Sequence, residues 1–486
     1  MPMLDSLNPA TGEVLASFPI DTADDVQAAV ARARTAAQWW REIGFAGRRQ
    51  RLHAWRRLLV AGLTELADLV HRENGKPVDD AIGEIAVAVA HLAWAARHAE
   101  PVLRRRAVRP GLLAINHAAT VEYVPYGVVG VIGPWNFPVH TPMGSISYAL
   151  AAGNAVVFKP SEYTPAIARW IVDAFHRAVP EHPVLQLVTG FGATGEALCR
   201  AGVDKIAFTG STAIGRKVMA SCAPTLTPVV MECGGKDALI VAADADLSAA
   251  ADGAVWGSMA NAGQSCVGVE RAYVVAEVYD EFVRQVVEQA RELRPGIETD
   301  ASYGPITMPA QLDVIAAHLA AAQADGGQAV LGGTDSVQPP FVAPSVLVDV
   351  PEDSIAITDE TFGPTLTITR VSDVDEAIER VNASRLRLGA AVFSARQGPE
   401  VAARLATGMV TVNSVFTVAM TPSLPFGGVQ DSGFGRIHGA DGLREFAWAH
   451  SVTRQRVPPL IALTTFRRSA RAVDRLATVV RARWGR

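Results

Sequence analysis

Apolar residues recur at helical spacing near the N-terminus of the chain. Residues 22–40, TADDVQAAVARARTAAQWW, begin with a threonine that can cap a helix, followed by acidic residues in the first turn. Residues 48–77 repeat apolar positions every three and four residues, and they end in Asn74-Gly75 with Pro77 beyond. The pattern predicts amphipathic surface helices, the second of which stops at Asn74-Gly75.

From residue 120 the pattern changes to short β-branched runs, most of them separated by segments of helical length. The runs are VVGVIG (128–133), NAVVFKP (154–160), VLQLVTG (184–190), KIAFTG (205–210) and VVMECGG (229–235). Apolar strands that alternate with helices predict a parallel sheet covered on both faces, with its ligand at the C-terminal strand ends. A second α/β region, with strand patterns such as TLTITRV and GAAVFSA, is predicted from about 235 to 433.

The length of 486 residues exceeds one ordinary core, so two or three domains are expected. The first residues lack the pattern of a secretory signal, and no run of apolar residues is long enough to predict a membrane span. The four cysteines have no CxxC spacing and no accompanying histidine cluster. We therefore expect neither a disulfide framework nor a metal site, and a reducing cytoplasm fits best.

The net charge of −5 is unevenly distributed along the chain. Residues 454–486 contain nine arginines and one aspartate, which is +8 and leaves −13 on the preceding residues. An acidic body of this kind is a poor general ligand for nucleic acid, so no nucleic-acid partner is expected.

Two polar motifs follow predicted strands and suit a nucleotide. In FTGSTAIGRKVM (208–219) a helix is predicted to start at Thr212, and its free N–H groups could bind a pyrophosphate. In FKPSEYTP (158–165), Lys159 and Glu162 could bind ribose hydroxyls. The structural alternatives are a plain strand-to-helix turn for the first motif and two solvated charges for the second.

Three further residues could carry chemistry. Asn136, in GPWNFPVHTP, could donate to an oxyanion, or it could cap a turn. Glu232 ends an apolar strand, where burial would raise its pKa towards that of a general base. Cys266, in NAGQSCVGVER, could be a nucleophile activated by a base, a helix N-terminus or a cofactor charge. Taken singly, a surface or ion-paired glutamate and a packed cysteine remain the alternatives.

Taken together and in order, seven motifs resemble the pattern of the NAD(P)-dependent aldehyde dehydrogenase superfamily. They are PWNFP, KPSE, FTGSTxxG, ExGGK, GQxC, DETFGP (359–364) and PFGGVQDSGFGR (425–436). The resemblance runs from NPATGEVLAS (8–17) to about residue 456. It implies an α/β fold with a Rossmann-type NAD-binding domain (1–114 and 126–234) and an α/β catalytic domain (235–445). A small β oligomerisation arm (115–125 and 446–457) would complete it.

The resemblance also implies site roles. Cys266 would attack the aldehyde, the Asn136 amide and the Cys266 N–H would hold the oxyanion, and Glu232 would activate the water that releases the acid. The implied cofactor-binding residues are Trp135, Lys159, Glu162, Gly190, Gly195, Gly210, Ser211, Gly215, Glu360 and Phe362. Glu232 favours hydrolysis over transfer to coenzyme A. Glu162 favours NAD, because its charge would repel the 2′-phosphate of NADP; NADP stays possible.

Departures from the family pattern bear on the substrate. Cys233 replaces the usual leucine beside Glu232, and the helix after Asn136 lacks the Trp and Lys of many members. Thr141 and Gly144 there predict a wider or differently shaped tunnel entrance. A neutral aliphatic or aromatic aldehyde is expected. The alternatives are a semialdehyde, a coenzyme A-acylating reaction or a non-catalytic binding protein on the same fold.

The matching arm segments predict a homodimer or homotetramer. After them, residues 458–486 place five apolar residues at helical spacing among arginines, with a tryptophan near the end: Phe466, Ala470, Val473, Ala477, Val480 and Trp484. A basic amphipathic helix of this kind indicates peripheral membrane contact of a cytoplasmic protein. The alternative is a helix packed on the acidic body or on a neighbouring subunit.

Overall fold

A computed structural model describes residues 2–459, 461 and 464–485 of the chain. Its strands are β1 (Met3–Leu7), β2 (Val14–Pro19), β3 (Arg106–Val108), β4 (His117–Pro125), β5 (Val128–Ile132), β6 (Ala155–Lys159), β7 (Leu185–Leu187), β8 (Lys205–Thr209), β9 (Val229–Glu232), β10 (Asp237–Val241), β11 (Val269–Val275), β12 (Gln328–Leu331), β13 (Val337–Gln338), β14 (Phe341–Val342), β15 (Ser345–Val348), β16 (Thr365–Val371), β17 (Leu386–Arg387), β18 (Gly389–Phe393), β19 (Met409–Val412), β20 (Val429–Gln430), β21 (Gly433–Phe434) and β22 (Ala447–Gln455).

The α-helices are α1 (Ala23–Glu42), α2 (Gly44–Ala61), α3 (Leu63–Asn74), α4 (Val78–Leu103), α5 (His140–Ala152), α6 (Pro165–Ala178), α7 (Gly192–Arg200), α8 (Thr212–Cys222), α9 (Leu247–Met259), α10 (Tyr279–Arg291), α11 (Ala310–Ala324), α12 (Ile355–Thr358), α13 (Val374–Ala383), α14 (Gly398–Arg404), α15 (Gly439–Glu445) and α16 (Ala470–Trp484). None of the helices in the described ranges has both the length and the apolar content that crossing a bilayer requires.

The predicted parallel sheet is present. Its strand order is β21-β9-β8-β5-β6-β7, and β5 to β9 pair in parallel, with the short β21 added antiparallel at one edge. Helices α5 to α8 connect consecutive strands of this sheet, so its apolar strands are buried. The C-terminal ends of β5, β6, β8 and β9 therefore lie along one edge, where the motifs of interest follow them.

The second predicted α/β region is built on a seven-stranded sheet of order β12-β15-β16-β11-β10-β18-β19. All of its neighbouring pairs are parallel except β12 with β15. The chain passes from the first sheet to the second at residues 233–236, between β9 and β10. The segment that carries Cys266 lies between α9 and β11, so this sheet positions the candidate nucleophile.

One helix prediction is wrong in detail. The segment that ends at Asn74-Gly75 is not one helix, because Gly62 separates α2 from α3. A Cβ atom at position 62 would lie 2.4 Å from the ring of Trp170, so the close approach of that tryptophan requires a glycine there. The predicted end is correct: Gly75 follows α3 with a left-handed φ of 94°.

The chain divides into two compact units, one of residues 1–102 and 125–447 and one of residues 103–124 and 448–486. In the second, β22, β4 and β3 form a three-stranded sheet. Helix α16 follows, with the Ser469 hydroxyl accepting from the backbone N–H of Ala472 at its start, and none of its residues is buried. Leu460, Ala462, Leu463 and Arg486 of the predicted tail, and Met1, lie outside the described residues.

Candidate active site

The loop that carries Cys266 is held in an unusual backbone conformation. After α9 the chain takes left-handed φ angles at Asn261, Ala262 and Gly263, between 54° and 71°. The Gln264 side chain fixes this loop, because its Nε2 donates to the Asn261 carbonyl (2.9 Å) and its Oε1 accepts from the backbone N–H of Thr307 (2.8 Å). These bonds hold Cys266, two residues further on, at the wall of a cavity.

Asn136 is tied to the same loop. Its side-chain Nδ2 donates to the backbone carbonyl of Gln264 (2.9 Å), and its backbone carbonyl accepts from the Nδ2 of Asn261 (3.0 Å). An amide nitrogen has two hydrogens, and among the described residues only the Gln264 carbonyl accepts from this one. The structure therefore brings Asn136 and the cysteine loop together and leaves one donor for a ligand.

A buried ion pair that the sequence reasoning missed positions Asn136. The Lys76 ammonium pairs with Glu84 and also donates to the Asn136 carbonyl (3.0 Å). The other Glu84 oxygen accepts from the backbone N–H groups of Val139 (2.7 Å) and His140 (2.9 Å). Charge-assisted bonds at this depth hold the loop firmly. No local signal identifies the pair, because both residues come from a stretch that reads as a surface helix and its start.

Glu232 is buried at the end of β9, with 3% of its surface exposed. Neither carboxylate oxygen has a hydrogen-bond partner in the described part of the chain. Burial raises the pKa of this carboxyl well above its usual value, and the nearby charge of Arg436 lowers it only in part. A carboxyl that is unpaired and desolvated is available to exchange a proton with a ligand or water.

Cys266 and Glu232 line one cavity of about 370 Å³. Most of its wall is apolar, with Val87, Phe137, Trp256, Leu388, Phe416, Met420, Phe426 and Ile437 among the lining residues. Such a cavity, with a few polar groups converging on it, is the usual form of a small-molecule site. The two residues that the sequence singled out 34 positions apart thus face the same space.

The thiol of Cys266 is in an unfavourable environment for ionisation. Enclosure in the protein raises its pKa, and the carboxylates of Glu360, Asp237 and Glu232 raise it further. The neutral thiol is therefore the form favoured at neutral pH, and activation needs a base or a positive charge brought by a ligand.

A second space, a groove of about 720 Å³, lies at the C-terminal ends of β5, β6 and β8. Six predicted cofactor residues line it: Trp135, Lys159, Glu162, Gly195, Gly210 and Ser211. The Lys159 Nζ and Glu162 Oε2 atoms are 3.6 Å apart. Thr209 lines both the groove and the cavity, so the two spaces adjoin.

The groove fits a dinucleotide. The first turn of α8 opens on it, and a helix N-terminus with free N–H groups binds phosphate. A Cβ at Gly195 would meet nothing closer than 4.0 Å, so this wall is open for a ligand to approach. Lys159 and Glu162 present a donor and an acceptor for ribose hydroxyls at the end of β6.

Two predicted glycines lie away from the groove lining. Gly190 has a φ of 149°, and a Cβ added there would lie 2.2 Å from the hydroxyl of Thr194. The turn before α7 therefore requires a glycine at this position. A Cβ at Gly215 would lie 2.7 Å from the Met231 sulfur, so this glycine lets α8 pack against β9. Both act on the backbone that shapes the site.

Glu360 and Phe362 are held by a second missed ion pair. Glu270, paired with Lys236, accepts from the backbone N–H groups of Thr361 (2.8 Å) and Phe362 (3.0 Å). Glu360 accepts from the Gly235 N–H (2.9 Å), and its pKa is raised to about 8, chiefly by burial.

The Phe362 ring packs edge-on against Trp135, with 5.5 Å between centroids. Phe362 thus contacts a residue that lines the groove.

The departures from the family pattern have structural consequences. Cys233 is 5% exposed and lines the cavity, and burial raises the pKa of its thiol to about 12, so the neutral thiol is its favoured form. Thr141 lines the cavity as expected. The space at Gly144 is not open, because the ring of His438 fills it.

Comparisons with known proteins match nearly the whole chain. The family model described as "Aldehyde dehydrogenase family" matches residues 2–452. The chain is 37% identical over 464 residues to a 4,4′-diapolycopene aldehyde oxidase from Methylomonas, covering 94% of this chain and 87% of that protein.

Solved structures agree as well. An NAD-dependent aldehyde dehydrogenase from Sinorhizobium meliloti superposes with a TM-score of 0.90 at 32% identity, covering 96% of this chain and 93% of that one. A succinate-semialdehyde dehydrogenase from Burkholderia pseudomallei gives 0.89 at 33% identity, with 93% and 95% covered.

The raised pKa of Cys266 predicts how the free protein reacts with iodoacetamide. Below the pKa, the thiolate fraction grows about tenfold per pH unit. The labelling rate should therefore be slow at pH 7 and rise about tenfold for each pH unit up to pH 9. Mass spectrometry of the labelled peptide measures the rate. The other three cysteines are buried, so Cys266→Ala should remove the reaction. A rate independent of pH over this range would contradict the assigned pKa.

Proposed function

Because the chain belongs to the aldehyde dehydrogenase family, we propose that it oxidises an aldehyde to the carboxylic acid through a thioester on Cys266. Members of this family are oxidoreductases that act on aldehydes with NAD or NADP. The observation that carries the proposal is the shared cavity of Cys266 and Glu232, which adjoins the groove. Overall, aldehyde, water and oxidised dinucleotide give acid, reduced dinucleotide and a proton.

In the first half of the reaction the Cys266 thiol gives up its proton, its sulfur forms a bond to the aldehyde carbon, and the carbonyl oxygen becomes an oxyanion. The remaining Nδ2 hydrogen of Asn136 and the Cys266 backbone N–H donate to that oxygen. When bound in the groove, the oxidised dinucleotide would accept the hydride of the former aldehyde C–H bond, and the C=O bond would re-form to leave the acyl group on the Cys266 sulfur as a thioester. Lys159 and Glu162 would bind its ribose and the start of α8 its pyrophosphate. Glu360 and Phe362, which are not among the groove-lining residues, would bind its nicotinamide end, where Phe362 packs on Trp135.

In the second half Glu232 takes a proton from water as that water attacks the thioester carbon. The acid leaves, and the cysteine sulfur departs with the electrons of the broken C–S bond. The unpartnered oxygens of Glu232 support this role, since no other group competes for them. The raised pKa makes the carboxylate a stronger base than an exposed glutamate. A base at this position also favours water over coenzyme A as the acceptor.

We propose a neutral aliphatic or aromatic aldehyde as substrate. The cavity wall is mainly apolar, and its one lysine, Lys76, is already paired with Glu84. The other charged lining residues include Asp79 and Asp80, which would repel a substrate carboxylate. A semialdehyde, such as the one in the name of the Burkholderia enzyme, is therefore the less favoured substrate. An uncharged aldehyde that suits an apolar cavity is the more favoured one.

Two variants test the reaction. With NAD and a panel of neutral aldehydes, wild type should form NADH continuously and Cys266→Ala should form none. Glu232→Gln should form about one NADH per site in a burst, after which turnover falls at least about 100-fold because hydrolysis lacks its base. Absorbance of NADH in a stopped-flow instrument measures both phases.

Other outcomes separate the alternatives. Cofactor binding without NADH from any aldehyde would indicate a binding protein. Turnover that requires coenzyme A would indicate an acylating enzyme. Turnover with succinate semialdehyde but with no neutral aldehyde would overturn the proposal that the substrate is neutral. Unchanged steady turnover by Glu232→Gln would exclude Glu232 as the base.

We propose NAD as the preferred cofactor, on the position of Glu162 in the groove. Glu162→Gln removes the charge that opposes a 2′-phosphate, so the ratio of kcat/KM for NADP to that for NAD should rise about tenfold. Initial rates with each cofactor measure it. Glu181→Gln, an exposed glutamate outside the groove lining, is the matched control and should leave the ratio unchanged. An unchanged ratio in Glu162→Gln would contradict the assignment.

We also keep the division into an NAD-binding domain, a catalytic domain and an arm as a proposal, with a homodimer or homotetramer as the assembly. Aldehyde dehydrogenases are commonly oligomeric. The unit that contains the arm exposes several large apolar side chains that an assembly could cover: Val108, Leu112, Leu113, Ile115, Trp448 and Val457.

We propose that α16 attaches the protein, in the cytoplasm, to an anionic membrane surface. Its apolar residues Val473, Val480 and Trp484 remain 40–54% exposed at helical spacing, and Phe466 before it is fully exposed. Arginines lie along the same segment. Apolar side chains beside cationic ones suit the boundary between headgroups and acyl chains.

Flotation with vesicles that contain phosphatidylserine tests this contact. Full-length protein should float, whereas a 1–457 form and the Val473→Asp, Val480→Asp double variant should stay at the bottom. Light scattering should give the same oligomer for all three, because the arm is retained. If full-length protein does not float, or if loss of α16 changes the oligomer instead, the helix packs on protein and the membrane proposal fails.

A further inference from the structure

Three histidines far apart in the chain converge beside the substrate cavity. His91 lies in α4, His140 begins α5 and His438 immediately precedes α15; we call them the histidine cluster. One ring nitrogen from each lies within 4.8 Å of the others. The ring centroids of His91 and His438 are 3.8 Å apart, and His140 is 5.3 and 5.6 Å from them. His140 and His438 line the cavity that also holds Cys266.

The cluster has ring nitrogens without partners. His438 is 1% exposed, and neither of its nitrogens has a hydrogen-bond partner among the residues described. The Nδ1 of His140 is buried and unpartnered in the same way. Buried polar atoms are normally hydrogen-bonded, and each unpaired one is unfavourable to folding. Three such atoms in one place point to a ligand that binds nitrogen lone pairs.

A backbone carbonyl fixes which nitrogen of His91 carries its proton. Its Nε2 lies 2.9 Å from the Ala419 carbonyl, an acceptor, so Nε2 carries the proton and Nδ1 keeps its lone pair. The Tyr148 hydroxyl lies 3.4 Å from Nδ1, but that hydroxyl donates its hydrogen to the Pro422 carbonyl at 3.0 Å. A ring N–H held by a backbone carbonyl is the usual outer contact of a metal-binding histidine.

The rings approach one another without an intervening side chain that would bind them, because the unpartnered nitrogens of His140 and His438 are buried beside His91. No carboxylate pairs with the three rings in the described contacts, so no counter-charge explains why they converge.

His438 is held in place at a cost in backbone strain. Its φ of 64° and ψ of 166° lie in a strained region that residues other than glycine rarely adopt. Its Nε2 packs against Gly144, and a Cβ added to that glycine would lie only 2.5 Å from this nitrogen. A glycine in α5 and a strained backbone before α15 thus combine to bring this ring to the cluster.

We propose that His91, His140 and His438 bind one divalent transition-metal ion, with Zn²⁺ the best match, and that its remaining coordination position faces the substrate cavity. Imidazole nitrogens suit zinc, copper and nickel, whereas magnesium and calcium require oxygen ligands. Three histidines with one open position form a known kind of zinc site. The ion would sit in the wall of the space that Cys266 and Glu232 also line.

Metal content of the untagged full-length protein tests this site. Protein stripped with a chelator is incubated with Zn²⁺, freed of excess metal by gel filtration and measured by plasma mass spectrometry. Wild type and Cys266→Ser should retain one zinc per chain, as should the control His182→Gln, whose ring packs at a tilt against Trp39 outside the cluster. His438→Gln should bind at least about 100-fold more weakly, because a ligand matters more than an outer-shell partner.

Gly144→Ala keeps all three histidines but adds a Cβ that displaces the His438 ring, so it should also lose zinc while it folds normally by circular dichroism. If His438→Gln does not fold, zinc retention by Gly144→Ala tests whether the histidine cluster binds the ion. With Co²⁺ in place of zinc, wild type should show visible ligand-field bands without a thiolate-to-cobalt band. No zinc in wild type, loss of zinc in Cys266→Ser, or full retention in His438→Gln and Gly144→Ala would each overturn the proposal.

Discussion

The candidate site depends on buried glutamates that each bind two consecutive backbone N–H groups. Glu84 holds the loop of Asn136, and Glu270 holds the loop of Glu360 and Phe362. Glu73 does the same at the start of α6, where it accepts from Ala166 and Ile167 after the loop of Glu162. A loop lacks the repeating bonds of a helix or sheet, so a carboxylate that binds its amides supplies the missing rigidity.

Two of these glutamates are paired with a buried lysine, and the pairing is what permits the charge inside the protein. Lys76 neutralises Glu84, and Lys236 neutralises Glu270. Desolvating a carboxylate is expensive unless a counter-charge and hydrogen bonds compensate it. Loss of one partner alone would therefore leave an uncompensated charge directly behind the site. The framework of the site is thus electrostatic, although the cavity that it shapes is apolar.

Against this satisfied framework, the groups that remain unsatisfied stand out. The Glu232 oxygens and the nitrogens of His438 are buried without partners. Because both sets of atoms belong to side chains that line the cavity, we infer that a water, a substrate or an ion completes their hydrogen bonds or coordination. The same criterion selects the proposed base and the proposed metal site, which are independent of each other and share one cavity.

Local patterning determined much of this protein from the sequence alone. The five runs that became β5 to β9, the cap at Thr22 and the helix that starts at Thr212 follow from spacing and capping within short segments. The ordered motifs placed the family, and they singled out Cys266 and Glu232 as the residues now proposed as nucleophile and base.

Only the tertiary structure decided the rest: the break at Gly62 against Trp170, the lysine–glutamate pairs, the filled space at Gly144 and the histidine cluster. Each depends on side chains that meet across different elements, and such contacts leave no periodic trace in the sequence.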